Sequence, residues 1–196
     1  MLTKLKLKVQ AWMTAEAQWA HGFGLTPNQV SAAGIVLALC SGLAYWQHIR
    51  HPFLLAAAPL LLLASGFCDA LDGALARAYG ATTVFGGFLD SLLDRYADAA
   101  VFSGIILGGL CDPFWGLAAL TGSLLVSYAR ARAEAAGVKM ETVGIAERAE
   151  RLILLATASF LGFLWSKALW WGVVVLAFLA NVTVLQRTIY FLRHHS

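Results

Sequence analysis

Charge is what this sequence most lacks. Only 13% of its 196 residues are Asp, Glu, Lys or Arg, about half the share of an ordinary soluble domain. With 60% apolar residues and a mean hydropathy of +0.71, it has too little polar surface to coat a globule of this size. That argues against a water-soluble enzyme or a disordered tail. A net charge of +3 calls for no polyanionic partner, so no nucleic acid is expected. Cysteine is scarce as well: Cys40, Cys68 and Cys111 are odd in number and lack CxxC spacing, which suggests neither a disulfide framework nor a zinc site. No internal repeat or low-complexity linker divides the chain, and its length suits one unit over residues 1–196.

What is present is a series of apolar runs. A membrane span needs about 20 mostly apolar residues. Six stretches qualify, at 28–46, 53–78, 84–110, 113–131, 146–165 and 168–191, separated by breaks at Pro52, Gly80, Pro113, Gly137 and Lys167. The expected fold is therefore all-α and integral to a lipid bilayer, with a six-helix core over 27–193. The opening residues 1–22 alternate Lys with Leu and are too polar to span. They read as an amphipathic segment lying in the interface. No apolar core follows these lysines, which argues against a signal peptide. Eleven of the 14 Lys and Arg fall on one set of ends, two (Arg50 and Lys167) on the other, and Arg95 inside a span. The positive-inside rule then puts both termini on the cytoplasmic side of the cell membrane. The seven Trp sit at or near predicted ends, as interfacial anchors do.

Against this apolar background stand Asp69, Asp72, Asp90, Asp94 and Asp98, all inside predicted spans. A carboxylate at the centre of a membrane helix costs roughly 2.5–3.5 kcal/mol on insertion scales, so five call for compensation. Asp69 and Asp72 are i, i+3 and share a helix face; Asp90, Asp94 and Asp98 are i, i+4, i+8 and share another. Counted from the turn near Gly80 at 1.5 Å per residue, the pairs Asp69/Asp72 and Asp90/Asp94 lie roughly 9–15 Å into antiparallel helices, at matching depth. An all-oxygen, acid-rich site selects hard divalent cations such as Mg²⁺ or Mn²⁺. Asp98 is expected to pair with an arginine instead, Arg95 being one choice. Small residues between the pairs, Gly73, Ala76 and Gly86 among them, leave room for a bulky ligand, and Arg77 lies nearby for a diphosphate. On the same leaflet Ser127, Arg130, Arg132, Arg148, Arg151 and Arg187 gather from three helices. That grouping suits a phosphate-bearing second substrate, although basic cytoplasmic ends are expected in any case. Cations, a diphosphate site and a phosphate pocket together point to phosphoryl transfer.

The stretch DALDGALARAYGATTVFGGFLDSLLD, 69–94, reads D-x-x-D-G-x-x-A-R, eight residues, then G-x-x-x-D-x-x-x-D. It resembles the signature of the CDP-alcohol phosphatidyltransferases. Further stretches, DRYAD at 94–98, SYARARAEAAG at 127–137, ERAER at 147–151 and LQR ending at Arg187, resemble the branch that makes phosphatidylinositol phosphate or archaetidylinositol phosphate. The resemblance implies a homodimer of six-helix protomers. Two Mg²⁺ or Mn²⁺ ions would be held on the CDP diphosphate by Asp69, Asp72, Asp90 and Asp94, and Asp94 would also be the base. Asn28, Gln29, Val30, Ser31, Gly73, Ala76, Arg77, Thr83 and Gly86, with Asp69 and Asp72, would line the CDP-lipid site. Ser127, Arg130, Arg132, Arg151 and Arg187 would bind the acceptor's phosphate. The implied reaction joins a CDP-lipid to a phosphorylated polyol, inositol phosphate, and releases CMP. Another acceptor or partner substrate (glycerol 3-phosphate, serine, CDP-inositol) remains open, as does an ion transporter. Gly104 and Gly108 form a GxxxG, a helix-contact pattern whose partner the sequence does not name.

Overall fold

The computed structural model describes residue 13, residues 15–140 and residues 143–194. All regular structure among them is helical. Six helices follow one another: α1 (Pro27–Gln47), α2 (Leu54–Ala78), α3 (Val84–Leu107), α4 (Pro113–Ala135), α5 (Arg148–Leu161) and α6 (Ala168–His194). A helical stretch at 15–22 precedes them. Lys4, Lys6, Lys8 and Trp12 of the expected interfacial segment lie outside the described residues. Of its remainder, Met13 and Ala17 pack against Val30, Ala74 and Leu75.

Three helices, α1, α2 and α6, are long and apolar enough to cross a membrane. The others fall short for physical reasons. α3 carries Asp90, Asp94, Arg95 and Asp98, and α4 is less apolar. α5 has 14 residues where the hydropathy pattern predicts a run of twenty. It begins only after Glu147, in extended backbone, and stops at Gly162. α3 likewise ends before its expected boundary, at Gly108 and the positive-φ Gly109, whereas α4 continues beyond residue 131 through Arg132.

The chain ends of these helices set the site. Thr26 caps α1 in a reciprocal box with Gln29, whose side chain accepts from the Thr26 amide at 2.9 Å. Gly80, at φ +63°, turns the chain between α2 and α3, and the Thr83 hydroxyl accepts from the Gly86 amide at 2.9 Å to start α3. This tight hairpin brings the acidic face of α2 opposite that of α3. α1 packs along both, α4 along α6, and α5 bridges α2 and α6. The core runs through Tyr45, Leu62, Val101, Ile105, Leu155 and Leu176. Inside it the Tyr45 and Ser159 hydroxyls bond at 2.7 Å, satisfying polar groups that would otherwise be orphaned. The GxxxG finds its partner within the chain: a Cβ on Gly104 would collide with the backbone of Gly42, and one on Gly108 with the Tyr45 carbonyl. The three cysteines are free.

Candidate active site

Asp69, Asp72 and Asp90 each offer a carboxylate oxygen within 4.8 Å of the others. Asp72 is buried and accepts a short hydrogen bond from the Ser31 hydroxyl of α1. Such a set of half-buried like charges, all oxygen and converging from two helices, has the donor chemistry of a hard divalent cation. Asp94, one turn along α3, is engaged differently. Its Oδ1 lies 2.9 Å from Arg148 Nη1, the same atom that lies 2.6 Å from Asp69 Oδ2. Arg95 stands 3.6 Å from the other Asp94 oxygen and donates to the Ser91 carbonyl. Asp98 does pair with arginine, but not with Arg95: Arg151 donates to its Oδ2 at 3.2 Å, and Arg148 Nε is 3.8 Å from its Oδ1. Arg95 is adjacent to Asp94 on the helix and bends back along its own turn, so it turns away from Asp98.

A cleft of about 200 Å³ opens beside the trio, lined by Pro27, Asn28, Ser31, Asp72, Gly73, Ala76, Arg77, Ala81, Thr82, Thr83, Gly86, Gly87 and Asp90. Most residues expected around a CDP headgroup are therefore together. Gln29, Val30 and Asp69 are not among them; Asp69 lines a smaller adjoining cavity with Ser31, Asp72, Asp90 and Asp94. Gln29 is committed to the α1 cap, and Val30 is buried against Leu75. The glycines have identifiable neighbours. A Cβ on Gly86 would press on the Thr83 hydroxyl that caps α3, and one on Gly73 would sit 3.1 Å from the Arg77 guanidinium.

On the far side of Asp94 lies a second cavity of about 230 Å³, lined by Asp94, Arg95, Val126, Ser127, Arg130, Glu147, Arg148, Ala149, Arg151 and Arg187. Four of the five expected acceptor residues meet here. Arg132 does not: it lines another cavity, of about 400 Å³, with Ala129, Ala133, Ala136, Met140, Thr188 and Phe191, and only Arg187 borders both. Arg187 is buried, donating to the carbonyls of Val143 at 2.8 Å and Val126 at 2.5 Å. Thr183 holds the same loop, accepting from the Ala146 amide at 3.2 Å. Arg148 was visible in sequence only as part of a basic grouping; its contacts with α2 and α3 span fifty or more residues of chain and left no local signal.

Residues 24–185 match the CDP-alcohol phosphatidyltransferase family, and the chain belongs to it. It is 41% identical to the archaetidylinositol phosphate synthase of Pyrococcus horikoshii, covering 95% of this chain and 94% of that one. The corresponding protein of Methanothermobacter thermautotrophicus is 50% identical over 66% of this chain and 67% of its own. Among solved structures, the phosphatidylinositol phosphate synthase of Mycobacterium tuberculosis with CDP-DAG bound superposes with a TM-score of 0.77 at 31% identity, covering 91% of this chain and 92% of that one. The same enzyme in complex with manganese and citrate gives a TM-score of 0.78.

Proposed function

We propose that this chain transfers a phosphatidyl or archaetidyl group from a CDP-lipid to a hydroxyl of inositol phosphate, releasing CMP. The observation that carries this reading is that Asp94 is a shared wall: besides the arginine pocket, it lines a small cavity with Ser31, Asp69, Asp72, Asp90 and Arg148, and that cavity shares Ser31, Asp72 and Asp90 with the cleft. A donor held on one side and an acceptor on the other meet at that carboxylate.

In this reading Asp69, Asp72, Asp90 and Asp94 hold two Mg²⁺ or Mn²⁺ ions. When bound, such ions neutralise a diphosphate and polarise its phosphorus toward attack. Asn28, Ser31, Gly73, Ala76, Arg77, Thr83 and Gly86 seat the nucleotide, with Asp72 fixed by Ser31. Ser127, Arg130, Arg151 and Arg187 form the acceptor's phosphate pocket, where planar forks suit a dianion. Arg148 joins them. Asp94 takes the proton as the acceptor hydroxyl attacks the β-phosphorus; the bond from that phosphorus to the CMP oxygen breaks and CMP departs.

The membrane arrangement belongs to the same proposal. All six helices of a single 1–196 unit sit in the bilayer, the leading segment lies in the interface, and the site opens to the cytoplasm, where both termini lie. Two such chains form a homodimer. Support for an ether-linked donor comes from the archaeal relatives, which are more similar to this chain than the mycobacterial structure is.

The test is CMP release by detergent-purified protein with Mg²⁺, using CDP-diacylglycerol or CDP-archaeol as donor. Inositol 1-phosphate, glycerol 3-phosphate, free inositol, serine and no acceptor are compared. Release with inositol phosphate alone is expected. Release with another alcohol would discard the acceptor and keep the chemistry. Ion flux through reconstituted vesicles without CMP release under any condition would favour a transporter.

A further inference from the structure

Three arginines, Arg148, Arg151 and Arg187, line the pocket beyond Asp94, and they are held in two different ways. Arg151 donates to the Ala146 carbonyl at 3.0 Å as well as to Asp98. Arg187 donates to two backbone carbonyls. Main-chain acceptors fix both forks. Arg148 has no such anchor: its Nε and Nη1 are buried without an aligned hydrogen-bond acceptor. Its hold on the site is the charge of Asp69, Asp94 and Asp98. Among the described residues, Asp72 and Asp90 form no ion pair, so the cluster is half neutralised from within and half open.

A guanidinium nitrogen at 2.6 Å from Asp69 and 2.9 Å from Asp94 occupies oxygen lone pairs that a cation bridging those residues would need. The same side chain also lines the arginine pocket proposed for the acceptor's phosphate. We infer that Arg148 is the resident counter-ion of the carboxylate cluster and orders its loading. One divalent cation binds first at Asp72 and Asp90 with an oxygen of Asp69. The second binds only as Arg148 gives up Asp94 and turns into the arginine pocket, where the acceptor's phosphate would meet it. Filling the donor side thereby prepares the acceptor side. This rests on the metal-site reading above and adds to it the order of events and the residue responsible.

The experiment is a calorimetric titration of metal-free, detergent-purified protein with Mn²⁺, without either substrate. Wild type is expected to show a tighter and a weaker class of site. In Arg148→Gln the weaker class tightens about tenfold while the tighter one changes less than threefold, because the competing charge is gone from one position. Arg148→Lys, whose compact ammonium does not bridge two helices as a fork does, gives an intermediate shift and decides the matter should the Gln variant fail to fold. Melting supplies a second readout: metal-free Arg148→Gln unfolds at a lower temperature than wild type, and Mn²⁺ raises it by more. Turnover in the variant shows a raised KM for inositol phosphate with the KM for CDP-lipid little changed. Absence of Mn²⁺ binding in wild type would remove the metal-site reading itself. Binding with the weaker affinity equal in wild type and both variants would leave that reading intact and overturn this one.

Discussion

Asp94 is the residue at which the two halves of the site converge, and its substitution separates binding from chemistry. Asp94→Asn keeps the shape and an oxygen donor but loses the proton acceptor of the proposed mechanism. Turnover is expected to fall by about 10²–10⁴, while calorimetric binding of CDP persists; retained turnover would remove Asp94 as the base. Arg187 behaves as an organiser rather than a freely reaching ligand. Arg187→Met leaves the Val126 and Val143 carbonyls without their donor, a loss of about 3 kcal/mol. Thermal unfolding in detergent should show it, together with a higher KM for the acceptor. The aspartates were legible because spacing along a helix determines face and depth. By the same rule Arg130 and Arg132 stand about 200° apart around one helix, so a single pocket takes only one of them. Gln29 is a different case: a residue in the first turn of a helix is as useful to the cap as to a ligand, and here its side chain closes the cap.

Between elements, α1 and α3 approach closely where Gly42 and Gly104 leave no room for a Cβ. Gly104→Val forces the two backbones apart and displaces Asp90 and Asp94 relative to Ser31. We expect a loss of roughly 1–3 kcal/mol or more, read as a lower melting temperature, with residual activity recovered on cooling. The GxxxG spacing announced a helix contact, but nothing in a pattern of two glycines says whether the partner lies in the same chain or in another. The length of α5 was hidden for a related reason. Hydropathy sums over residues whether or not they are helical, and so it does not register the turn after Leu161 or the extended backbone before Arg148.

At the scale of the whole molecule, the charge asymmetry predicts which side of the membrane each loop faces. His51 and Lys139 are both exposed and fall on opposite ends of the helices. In a background lacking the other cysteines, Lys139→Cys should react with an impermeant maleimide only in inverted vesicles, and His51→Cys only in right-side-out ones. Cys111 is a poor background reactant in any case, since burial and then Asp112 push its thiol up to about 11. Labelling of both positions from one side would discard the six-span arrangement. The general plan, helical and apolar with one acidic layer, was legible from composition and period. The pairing of Arg148 with two other helices was not, because long-range ion pairs leave no trace in local spacing.

The brevity of α5 has a consequence for the surrounding lipid. Its 14 residues reach only about 21 Å at 1.5 Å per residue, against a hydrocarbon layer of about 30 Å. In the six-span arrangement the bilayer beside α5 must thin, or water must fill the difference. Because α5 begins at Arg148, that shortfall on the cytoplasmic side would form an aqueous vestibule directly over the arginine pocket. A water-soluble polyol phosphate could then descend to the depth at which a lipid headgroup is held, while the lipid donor keeps its chains among its neighbours and never leaves the membrane.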